Sequence, residues 1–146
     1  MSATATPNPK PKDRPLGYTA IGVFLFFGAT MASYASVTLA WPGTFLDRGW
    51  MLNPAAHQQL ATLGRVLAFP FFFLALALFL AGLGWLRRRW WGWTLAIVLI
   101  GINFLGNVFT VSRGEWVKGG VGVVFAGLLL TYITRPRVRD YFREAA

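Results

Sequence analysis

The sequence contains no cysteine, which excludes disulfide cross-links and thiolate metal sites. Acids are scarce: Asp13, Asp47, Glu115, Asp140 and Glu144 are the only five in 146 residues, and His57 is the single histidine. Charged residues make up 13% of the chain, about half of the usual ~25% and too few to coat a soluble domain. These shortages exclude a disordered chain, a disulfide scaffold and an ordinary soluble enzyme. They also thin out the catalytic options. Hydrolysis by paired carboxylates needs two acids held together, whereas Asp47 and Glu115 have nearer partners in Arg48 and Arg113. A zinc site would have only His57 and carboxylates to draw on. Gly82, Gly84, Gly119 and Gly120 lack the following Lys-Ser/Thr of a phosphate-cradling loop. No catalytic set, metal site or cofactor is expected, and the chain reads as a non-enzyme.

What is abundant is apolar. Hydrophobic residues reach 55%, with seven Trp and thirteen Phe. Four stretches carry no charge: Gly17 to Ala40, Val66 to Leu86, Thr94 to Ser112 and the shorter Gly119 to Thr134. At 1.5 Å per residue they measure roughly 36, 32, 28 and 24 Å as helices, against a hydrocarbon core of about 30 Å. The fourth reaches a spanning length if it extends through Lys118, whose ammonium can snorkel to the headgroups. Phe69 to Leu83 is apolar all round, unlike a soluble helix with one polar face. The expected fold is all-α: a four-helix transmembrane bundle with antiparallel neighbours. Trp41, Trp50, Trp85, Trp90, Trp91, Trp93 and Trp116 all fall at span ends or in connections, as an aromatic belt predicts. The first span is too long for a signal-peptide core and lacks a terminal Ala-x-Ala, so it reads as a retained anchor.

Charge sets the orientation. With four spans, the N-terminal tail, the middle connection and the C-terminal tail share one side. They carry Lys10, Lys12 and Arg14; Arg87, Arg88 and Arg89; and Arg135, Arg137, Arg139 and Arg143. The other side has Arg48, Arg65, Arg113 and Lys118. The excess of cations predicts both termini in the cytoplasm. It also accounts for a net charge of +9 without nucleic acid: Arg87, Arg88, Arg89, Arg135, Arg137 and Arg139 are expected to meet anionic lipid headgroups.

Residues 1–15, with Pro7, Pro9, Pro11 and Pro15, read as a disordered tail, and 136–146 as a basic C-terminal tail; the membrane domain fills 16–135. The connections Arg87 to Trp93 and Arg113 to Lys118 are short, which makes consecutive spans antiparallel neighbours. The connection from Trp41 to Arg65 is long enough to hold structure. Trp41-Pro42-Gly43 stops the first helix, and Asn53-Pro54 resembles an N-cap with Pro at the first helical position of a short helix over 54–63. Pro70 is expected to kink the second span. Because structured long loops often carry function, this connection is the first candidate site.

Two faces within the spans stand out. Gly28, Ala32, Ser36 and Ala40 recur every fourth residue, a small-residue face suited to close helix packing, inside the bundle or onto a partner. Asn103, Asn107 and Thr110 share one face of the third span. Asn in hydrocarbon needs a partner, so this face should point inward, either as an interhelical clamp to Ser33 or Ser36 or as a polar path.

Pro42-Gly43, Leu46-Asp47, Asn53-Pro54, the Arg-Arg-Trp-x-Gly-Trp run from Arg88 to Trp93 and the ending Arg135-Pro136-x-Val138-Arg139-x-Tyr141-Phe142 together resemble small bacterial four-span membrane proteins of no known activity. The resemblance implies a bacterial inner membrane and brings no catalytic residues. The leading functional reading is a non-enzymatic accessory, assembly or structural partner in a larger membrane complex or homo-oligomer. The alternatives are a small oligomeric channel or transporter using Asn103, Asn107 and Thr110, and a pigment- or haem-binding protein that uses His57 as a ligand. No acid lies within a span, which argues against proton-coupled transport.

Overall fold

The computed structural model describes residues 17–52, 54, 58 and 62–144. Four helices are long and apolar enough to cross a membrane: α1 (Tyr18–Ala40), α2 (Arg65–Leu86), α3 (Trp90–Ser112) and α4 (Trp116–Ile133). A short helix, α5 (Pro136–Arg143), follows them, and a 3₁₀ helix (Phe45–Leu52) lies between α1 and α2. No strand occurs among the described residues. The chain is thus a multi-pass membrane protein built as a four-helix bundle.

The span boundaries differ from the hydropathy reading at two places. α3 begins at Trp90, so the middle connection is only Arg87 to Arg89, and α4 begins at Trp116 and includes Lys118. Hydropathy marks where charge stops, whereas a helix starts where its backbone bonds start. Trp90, Trp91, Trp93 and Trp116 belong to the helices. α2 runs through Pro70 without a break, because Pro70 lies within the first two turns, where few backbone bonds are lost.

Both tight turns between spans use the same device. After α3, Gly114 takes φ 94°; its N–H donates to the Val111 carbonyl at 2.9 Å and the Glu115 N–H donates to the Thr110 carbonyl at 3.3 Å. After α2, Arg88 takes φ 54°, with its N–H on the Trp85 carbonyl at 3.0 Å and the Arg89 N–H on the Gly84 carbonyl at 2.8 Å. This is the Schellman pattern, which pairs the last carbonyls of a helix through one left-handed residue. Glycine occupies that position freely. Arginine does so at a cost of about 1–2 kcal/mol, against which stand its two contacts to Tyr141.

α1 packs mainly on α2, α2 also on α3, and α3 on α4; α1 and α4 share no comparable interface. The helices approach closely where side chains are absent. A Cβ on Gly92 would run into the backbone of Gly84, and one on Gly119 would meet the Val111 N–H and the Asn107 carbonyl. The core concentrates at one end. Tyr18, Trp85, Ile133, Val138, Tyr141 and Phe142 are all buried there. Coverage elsewhere is uneven: 39% of the most apolar stretch of α1 is buried inside the protein, against 11% in α3.

Candidate functional site

The first site region is the closed end of the bundle. Residues 136–143, expected to lie in a basic tail, form a folded helix. Val138, Tyr141 and Phe142 follow i, i+3, i+4 spacing and are all buried, so the apolar stripe of a short amphipathic helix lies against the spans. Pro136 sits at its first position, where a missing N–H costs nothing. The Phe142 ring lies 4.7 Å from the Trp85 ring and 6.0 Å from that of Tyr18. Arg88 fastens the helix from the other side. Its guanidinium lies 3.7 Å from the centre of the Tyr141 ring and donates from Nη2 to the Tyr141 carbonyl at 3.1 Å. A carbonyl in the last turn of a helix has no intrahelical partner and is the negative end of the dipole, so a cation suits it. Trp93 serves α4 the same way, donating from Nε1 to the Ile133 carbonyl at 3.2 Å.

The cations expected at anionic headgroups therefore divide into two groups. Arg87, Arg89, Arg135, Arg137 and Arg139 are exposed around this end. Arg88 is only partly exposed and turns inward onto Tyr141. Beside α5, Trp90 and Trp93 stack with ring centres 4.5 Å apart and, with Arg139 and Arg143, line an open cleft of about 560 Å³. Trp85 departs from the belt pattern: it is fully buried, and its indole N–H donates to the Tyr18 carbonyl rather than to water.

The second region is a partly open chamber of about 480 Å³ lined by all four spans. Phe24 and Gly28 contribute from α1, Leu78 from α2, Asn103 and Asn107 from α3, and Gly122 and Phe125 from α4. Its existence follows from the packing order, since α1 and α4 are the ends of a curved row and leave a gap between them. The rings of Phe24 and Phe125, both exposed, face each other across that gap at 6.1 Å. Asn107 donates from Nδ2 to the carbonyl and to the Oδ1 of Asn103, both at 2.9 Å. A Cβ on Gly122 would collide with the Asn107 amide, so glycine there admits the amide between α3 and α4. The clamp expected to Ser33 or Ser36 is not the one formed: the asparagines bond within α3, and Ser36 donates to the Ala68 carbonyl of α2 at 2.9 Å. Thr110 leaves the polar set by donating back to the Gly106 carbonyl at 3.0 Å.

The small-residue face lies against α2. Gly28 sits beneath Leu78, with space for a Cβ only at 3.4 Å from it, while Ala32 and Ser36 are buried and Ala40 is partly so. In the first connection, the 3₁₀ helix is tied to α1. Tyr34 Oη donates to the Leu46 carbonyl, and Trp50 Nε1 donates to Thr38 Oγ1 at 3.0 Å. Pro54 and Gln58 are helical, where the short helix was expected, and Thr62 to Gly64 form a turn. His57 lies outside the described residues. The carboxylate pairings also differ from expectation. Glu115 pairs with Lys118 at 3.5 Å, Arg113 covers the Phe109 ring at 4.6 Å, and Asp47 Oδ2 accepts the Gly43 N–H at 2.6 Å. Short loops favour the partner one turn along the helix or the nearest free N–H over the adjacent residue.

Compared with protein-family models, curated proteins and solved structures, the chain matches none. The likeness to small bacterial four-span proteins rests on the sequence motifs alone. Among the described residues, no three His, Cys, Asp or Glu side chains gather where they could hold a metal ion.

Proposed function

We propose that the protein is a non-enzymatic accessory or assembly partner in a bacterial inner membrane, with both termini cytoplasmic and its closed end turned to that side. One observation carries this reading. The folded-back α5 makes the end of the bundle a platform, from which Arg87, Arg89, Arg135, Arg137 and Arg139 project. A platform held by Arg88, Trp85 and Phe142 presents its charges in fixed positions. Such an array attracts anionic headgroups, each Arg near the surface contributing about 1 kcal/mol, and gives an acidic partner a defined surface.

The test is native purification in mild detergent with identification of whatever larger complex co-purifies. A stoichiometric complex that is lost when Arg137→Glu and Arg139→Glu are combined supports the reading. A monodisperse monomer that retains its membrane level but holds no partner counts against it. The channel alternative has less support, because the chamber that Asn103 and Asn107 line is otherwise apolar and Thr110 does not contribute to it.

A further inference from the structure

The chamber among the four spans has the size and make-up of a small-molecule site: between 300 and 1,000 Å³, mostly apolar, with few polar groups. Its polar chemistry is specific. Asn103 lines the chamber and is exposed; its Oδ1 accepts from Asn107, and among the described residues its amide nitrogen makes no hydrogen bond. An amide donor in hydrocarbon without an acceptor is costly, and the chamber is where an acceptor can reach it.

Depth narrows the class of ligand. Asn103 is thirteen residues from Trp90 and nine from Ser112 along α3, roughly 20 Å and 14 Å by helical rise. It therefore lies within a few ångströms of the bilayer midplane. Phospholipid ester carbonyls stay at the edge of the ~30 Å core, so an acyl chain in the chamber would offer Asn103 only methylenes. A charged ligand would meet no counter-charge among the lining residues and would carry a large desolvation cost. What remains is neutral, dissolved in the hydrocarbon, and bears its own oxygen acceptor. Entry from the membrane between α1 and α4 requires the paired rings of Phe24 and Phe125, 6.1 Å apart, to move aside.

We propose that the chamber binds a neutral, membrane-dissolved small molecule bearing a carbonyl oxygen, of the chemical class of an isoprenoid quinone, with Asn103 Nδ2 donating to that oxygen. Asn107 is a positioning residue that holds the Asn103 amide. The site is independent of the basic platform and of the partner proposed for it.

The probe is a short-chain alkyl benzoquinone, titrated into the full-length protein in phosphatidylcholine nanodiscs. The matching alkylbenzene without carbonyls, and a phosphatidylcholine with a photoreactive acyl chain, serve as the other arms. Binding is read by native mass spectrometry and by retention after nanodisc exchange. One quinone per chain is expected, bound about tenfold more tightly than the alkylbenzene, as one hydrogen bond implies. Asn103→Leu should remove that tenfold margin, and Asn103→Gln should restore part of it. Asn103→Leu is expected to fold, because Asn107 keeps the Asn103 carbonyl as an acceptor. Equal affinity for quinone and alkylbenzene, or a margin that survives Asn103→Leu, overturns the proposal. So does photolabelling of the chamber by acyl chain that the quinone does not displace, or a dimer that fills the gap between α1 and α4.

Discussion

Tyr18 and Trp85, 67 residues apart in the chain, each donate a hydrogen bond to the other's backbone carbonyl: Tyr18 Oη at 2.5 Å and Trp85 Nε1 at 2.8 Å. Their rings stack at 5.6 Å. The pair joins the start of α1 to the end of α2. Tyr18→Phe should lower stability by about 1 kcal/mol and Trp85→Phe by more, because it also shrinks a fully buried ring, with the double variant losing less than the sum because the residues act together. Trp85→Ala should cost about 3–5 kcal/mol through the cavity it leaves. Denaturant titration in detergent measures all four.

Arg88 sets a strained backbone against two contacts to Tyr141. Arg88→Ala keeps the strain and loses the contacts, whereas Arg88→Gly loses both. Gly should therefore be more stable than Ala here by about 1 kcal/mol, the reverse of their order in a helix interior. In both variants hydrogen exchange over 136–143 should rise severalfold. An Ala variant more stable than Gly would sink the account.

At the crossing of α2 and α3, Gly92→Val forces apart two backbones that touch. A loss of more than about 2 kcal/mol is expected, as for an overpacked site. Gly120→Ala, with nothing near the added methyl, is the control and should be neutral or slightly stabilising. Thermal unfolding in one detergent separates them.

The absence of native cysteine makes orientation simple to test. Single cysteines at Arg137 and Gly114, both exposed, should react oppositely with a membrane-impermeant maleimide on intact cells. Gly114→Cys is expected to label from outside, and Arg137→Cys only after lysis. The reverse pattern would invert the topology argued from the cations.

Much of this fold is legible in uncharged run length. Four apolar runs become four spans, and the small-residue spacing from Gly28 to Ser36 falls on the face that meets α2. The C-terminal helix was legible too, because Val138, Tyr141 and Phe142 have helical spacing after Pro136, but Arg137, Arg139, Asp140 and Arg143 make the stretch mostly polar in any reading by composition. Trp85 could not be read from its position near a span end. That an indole there points inward depends on Tyr18 offering it an acceptor, which is a tertiary fact. The shared face of Asn103 and Asn107 was readable, while the chamber was not, since it depends on α1 and α4 failing to close. The bonding within the asparagine pair follows from a separation of four residues, which lets one amide reach back to the other before any neighbouring helix is reached.

The contact of Tyr18 with Phe142 joins the first helix to the last. During synthesis Tyr18 and Trp85 can meet while the later spans are still being made, whereas Phe142 follows all four spans along the chain. The closed end is thus a feature that a partly made chain does not possess. Its aromatic pocket stays open until the last turn of α5 arrives, so the closed end forms only once all four spans have been made.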